Sequence, residues 1–109
     1  MAYDEGLAQR IRELLEGETE YVEKKMFGGV AFMVRGHMTC GVTGEDLMVR
    51  LADEEHAEAL AQPHVRAMDF TGRPMKGFIY VDSEGMAEDE ALRHWVGRAL
   101  AYTRTRPPK

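Results

Sequence analysis

The sequence predicts an α+β domain. Its expected form is a two-layer α/β sandwich with an antiparallel sheet, in the order helix, three strands, helix, two strands, helix. Three observations predict it. Apolar residues recur at helical spacing at both ends of the chain. The runs between them are rich in β-branched and aromatic residues and are punctuated by glycine turns. A short alanine-rich stripe, stopped by Pro63, separates the strands into two groups. At 109 residues the chain is long enough for one domain with its own core, expected over residues 4–106.

The first helix is expected at about residues 4–16. Leu7, Ile11, Leu14 and Leu15 fall on one face, Asp4 and Glu5 favour the positive end, and Gly17 offers a stop. "EKKMFGGVAFMVRG" then reads as a single strand, bent at Gly28-Gly29. "HMTCGV" and "DLMVRL" complete a meander with turns at Arg35-Gly36 and Thr43-Gly44. A loop centred on Gly44-Glu45 pairs Val42 with Leu47, Cys40 with Val49 and Met38 with Leu51. These six share the buried face, while Thr39, Gly41, Met48 and Arg50 point the other way. The first hairpin has two open registers. A two-residue loop sets Met33 beside Met38, and a three-residue loop sets Val34 there. Asp53 reads as the cap of a second helix at about residues 54–62. "RAMDF" and "GFIYVD" are two further strands joined at "TGRP". Leu92, Trp95, Val96, Ala99 and Leu100 mark a third helix at about residues 88–104, ended by Pro107 and Pro108.

Composition narrows the function. The net charge of −5 suits neither non-specific nor specific nucleic-acid binding, because the basic clusters are small. A single cysteine, Cys40, no signal-peptide pattern and no long apolar run point to the cytoplasm, away from the membrane. His37, Cys40, His56, His64 and His94 form no metal motif. His37 and Cys40, three apart on a strand, are expected on opposite faces. Cys40 reads as a buried small hydrophobe rather than a nucleophile. Gly28-Gly29 precedes a strand, not a helix, and lacks phosphate-loop spacing. No catalytic constellation, metal or cofactor is therefore expected.

Eight methionines in so short a chain are unusual. Core filling accounts for most, but Met48 beside Arg50 on the outward face suggests an adaptable contact surface. The candidate interaction patch is Lys24, Lys25, Met26, Phe27, Gly28, Gly29, Met48, Arg50 and Arg73. Within it Met26 is expected to be buried, with Lys24 on the same face nearer the strand start, and Phe27 with Lys25 would form an apolar-plus-basic patch on the other, open face. The expected partner is another protein or a second copy of the chain. The competing reading is a small-molecule binder or cofactor-free enzyme assembled from Lys24, Lys25, Asp69 and Arg73.

"KKMFGGVAF", "GVTGEDLMVR", "MDFTGRPMKGFIYV" and "LRHWVGRAL" together resemble, in order and spacing, the TfoX N-terminal domain family, named for a bacterial regulator of competence. The resemblance covers about Asp4 to Pro108. It implies a secretion-chaperone-like arrangement of helix, three strands, helix, two strands, helix. It implies regulation through protein contacts and brings no catalytic residues with it.

Overall fold

The computed structural model describes residues 3–26, 28–70 and 73–107, with the backbone alone at Met26, 68–70 and 73–76. Helix α1 runs Glu5–Glu16. Asp4 caps it by accepting a hydrogen bond from the Leu7 amide at 3.1 Å, and its Leu7, Ala8, Ile11 and Leu15 are buried. Strands β1 (Val22–Met26), β2 (Gly29–Val34), β3 (His37–Thr43) and β4 (Asp46–Arg50) follow. A short 3₁₀ turn at Asp53–Glu55 leads into α2 (His56–Leu60), then β5 (Val65–Phe70), β6 (Arg73–Val81) and the long helix α3 (Asp89–Arg104). Asp53 begins the 3₁₀ turn instead of capping it; the cap position is Ala52, with no side-chain hydrogen bond.

The meander therefore has four strands, not three. The stretch read as one bent strand is a hairpin. Met26 pairs with Gly29, and Gly28 between them has φ +74°, a backbone region that glycine enters at no steric cost. The predicted bend was a full reversal. All neighbouring strands are antiparallel, and the six-stranded order is β1-β2-β3-β4-β6-β5.

The β2–β3 hairpin takes the two-residue loop at its turn, and Val34 does not meet Met38, but the pairs further along follow the other register. Arg35 and Gly36, at φ 55° and 85°, form a two-residue turn that pairs Val34 with His37 and Met33 with Met38. Past Thr39 the pairing shifts by one, and Phe32 meets Cys40 while Val30 meets Val42. Thr39 is the extra residue of a β-bulge.

The bulge reverses which face the start of β3 presents. Met38 leaves the core side expected of it. Thr39, expected outward, turns inward, and its hydroxyl lies 2.9 Å from that of Thr103 on α3. Both hydroxyls are fully buried, so each meets the other's hydrogen-bonding need. His37 and Cys40 thus lie on the same side, not on opposite ones. His37 is buried, and its Nε2 is 2.7 Å from the Pro107 carbonyl oxygen, which can only accept, so Nε2 carries the proton. Beyond the bulge the β3–β4 register is as predicted, with Val42 on Leu47 and Cys40 on Val49. The pairing of Met38 with Leu51 does not occur, because β4 ends at Arg50.

One core forms between the sheet and the helices. Val30, Phe32, Cys40, Val42, Leu47, Val49, Ile79 and Val81 meet Ile11 and Leu15 of α1 and Leu92, Trp95, Val96, Ala99 and Leu100 of α3. Arg98 packs its guanidinium 5.2 Å from the centre of the Trp95 ring and bonds Glu55 and Glu58, tying α3 to the α2 region. Hydrogen bonds from Arg98 and Gln62 hold the Glu58 carboxyl below its usual range.

Candidate interaction face on the sheet

The second face of the sheet carries its own small cluster. Ala31 and Met48 are fully buried there, with Met33, Met38, Phe78 and Tyr80 packed around them and partly exposed. Antiparallel partners share a face, so the ladder orders this surface into rows. One row crosses all six strands: Lys24, Ala31, Gly41, Met48, Tyr80 and Arg66. At about 4.8 Å between strands it is roughly 24 Å long. Its middle is apolar and both ends are cationic. A second row places Val22 beside Met33 and Met33 beside Met38, with Arg50 beside Phe78 further across.

The rows explain local residue choices. A Cβ at Gly41 would come 2.5 Å from the Val30 carbonyl oxygen and 2.7 Å from Cε of Met48. The bare backbone there lets Met48 lie down across β3, which is why Met48 is only 1% exposed although it is on the outward face. Val22, in contrast, is 60% exposed on the edge strand. The cations are braced. Arg66 stands over the Tyr80 ring at 5.0 Å and bonds Asp46. Arg50 stands over Phe78 at 4.7 Å and over Tyr102 at 5.4 Å, and donates to the Tyr102 hydroxyl at 3.4 Å.

Of the predicted patch, Lys24, Met48 and Arg50 come together on this face, and the pairing of Met26 with Gly29 continues it at the end of β1. Lys25 does not join them. It pairs with Val30 and lies on the helix-bearing side, not on the open face expected of it. Phe27 is outside the described residues. Arg73 begins β6 opposite Phe70, and its side chain is outside the described residues, as is that of Asp69. The sheet order puts β1 and β5 at opposite edges, so Lys24 and Lys25 do not share a site with Asp69. Sequence reasoning missed Met33, Met38, Phe78, Tyr80 and Arg66. The signal for Tyr80 and Arg66 lay in the strand alternation; that for Met38 was hidden by the bulge.

A groove of about 770 Å³, wide open to solvent, borders the face at the β1 edge, where Tyr21, Val22, Lys24, Met33 and Arg35 line it. Desolvation, and then Glu16 and Glu23, raise the Tyr21 hydroxyl above its usual range, so it is a neutral lining group. Cys40 lies on the far side of the sheet, buried, with its thiol pushed up to about 12 by that burial. Among the described residues no group of three or more His, Cys, Asp or Glu is placed to hold a metal. None of the described helices is long and apolar enough to cross a membrane.

The TfoX N-terminal domain family matches residues 13–102. The chain belongs to this family. The match takes in the last turn of α1, β1 to β6 and most of α3, and so every residue of the rows described above. No curated protein and no solved structure gives a match. For this TfoX N-terminal domain the family indicates a module like that of the competence regulator.

Proposed function

We propose that this TfoX N-terminal domain is a non-enzymatic regulatory module that works by binding another protein through the open face of its sheet. The family membership supports the regulatory part. One observation carries the binding part: Met33, Met38, Phe78 and Tyr80 form a contiguous, partly exposed apolar surface around buried Met48, on the sheet face away from the α1–α3 core. Such surfaces mark contact sites, and methionine adapts its shape to a partner at little cost. The helices-on-one-side, secretion-chaperone-like arrangement implied by the family belongs to the same reading. The cytoplasm is the compartment in which the module is proposed to act.

Site-specific photo-crosslinking in living cells tests this. A photoreactive residue at Met38 is expected to give discrete crosslinked protein bands, and one at Glu13 on α1 is expected to give none. Bands of equal yield from both positions, or none from Met38, would remove the open face as the binding surface.

A further inference from the structure

The charge on the open face differs from that of the molecule. The chain carries −5, yet the long row across the face is closed by a cation at each end, Lys24 on β1 and Arg66, bonded to Asp46, on β5. The cations sit at the rims of the apolar rows. In the long row Lys24 and Arg66 close opposite ends, with Ala31, Gly41, Met48 and Tyr80 between. Those four span three strand spacings, roughly 14 Å. One α-helix with its side chains is about 10–12 Å across.

We propose that the occupant of this face is an acidic amphipathic helix. It lies along the strands over β2–β4 with its apolar stripe on Met33, Met38 and Met48, and carboxylates on its two flanks face Lys24 and Arg66. The inference rests on the binding reading above and names the partner's chemistry. The helix supplies apolar residues at i, i+3, i+4 and i+7 to a methionine surface that can reshape around them. The rim cations choose its sign of charge and its orientation more than they add affinity. Single-stranded nucleic acid would also meet cations and aromatic rings here, but it needs free ring faces for stacking. Phe78 and Tyr80 already carry guanidinium groups over their rings, at 4.7 and 5.0 Å. The acidic bulk of the chain opposes a polyanion as well.

The test follows methionine methyl signals by NMR in the whole chain. The probe is a synthetic helical peptide of about 18 residues, five turns, with leucines on one stripe and glutamates on both flanks. Controls are the same peptide with lysines on its flanks, a scrambled peptide and an oligothymidylate. Saturable shifts are expected at the Met33 and Met38 methyls with the acidic peptide only. Lys24→Glu with Arg66→Glu, checked for an unchanged thermal melt, should raise its dissociation constant about tenfold at low salt. If those substitutions disturb folding, the lysine-flanked peptide makes the same charge reversal without altering the protein. Equal binding of the lysine and glutamate peptides, saturation by the oligothymidylate, or no shift with any probe would overturn the proposal. So would methyl shifts that depend on protein concentration alone, which would mark the face as a contact between two copies. Loss of the peptide result while the Met38 crosslinks persist removes only the helix. Loss of both removes the binding reading itself.

Discussion

Replacing Gly29 with alanine should be among the most damaging small changes available in this domain, and its neighbour Gly28 provides the control. A Cβ on Gly29 would stand 1.9 Å from the Val42 carbonyl oxygen, 2.9 Å from its carbon and 3.1 Å from Cα of Thr43. All three are backbone atoms, so no rotamer change relieves the overlap. Reaching even a tight contact requires β2 and β3 to part by more than an ångström, which takes a hydrogen bond of normal length past the limit at which it holds. Two buried ladder bonds lost at about 1–3 kcal/mol each give a cost of about 2–6 kcal/mol. A domain of this size has about 5–15 kcal/mol in total. At Gly28 the argument differs: φ is +74° and, chain neighbours aside, no atom of the described residues lies within 4 Å of the added carbon. Only the left-handed backbone is penalised there, by about 1–2 kcal/mol. Urea denaturation followed by Trp95 fluorescence measures both. Gly29→Ala costing less than Gly28→Ala, or staying within about 1 kcal/mol of the parent, would refute the close approach of β2 and β3 at this point.

Two further outcomes follow from the core. Trp95 is 6% exposed, lies in the main cluster and carries Arg98 beside its ring, so Trp95→Ala should cost about 3–5 kcal/mol in urea denaturation followed by far-ultraviolet circular dichroism. Cys40 should resist thiol reagents at neutral pH and make stability fall in alkali. Its unfolded pKa is near 9.0 and burial pushes the folded thiol to about 12, so between those values only the unfolded chain gives up the proton. Stability then declines as pH rises, by about 1.4 kcal/mol per unit from this group, and a Cys40→Val variant should show a shallower decline across the same range.

The sequence was informative where one rule acted alone. Helical spacing placed α1 and α3 within a residue or so of their observed ends, because both have a single buried stripe. The β3–β4 register was legible because a two-residue glycine turn and strict alternation agree there. Where two rules met, it misled. Residues 21–34 carry β-branched and aromatic residues on both sides of Gly28-Gly29, so a turn and a bend have the same composition, and only the positive φ of Gly28 separates them. Missing that reversal put Lys25 on the wrong face, since its side depends on the partner strand. At the β2–β3 hairpin no single register could be right, because Thr39 shifts the ladder midway. The buried state of Met48 was not legible either; it comes from Gly41 on the neighbouring strand.

That shift has a consequence for how the chain can change length. Thr39 is a spare rung: Met38 and Cys40 already face Met33 and Phe32, which are adjacent. Striking out Thr39 would leave every pair of the hairpin intact and each side chain on its present face, whereas striking out any fully paired residue of β3 would turn part of the strand inside out. The tether that Thr39 makes to Thr103 would go, and with it a hold on the last turn of α3 beside the point where His37 grips Pro107. Strand β3 therefore tolerates a one-residue deletion at a single position, and what it gives up there is the anchoring of the chain's final helix, not the order of the sheet.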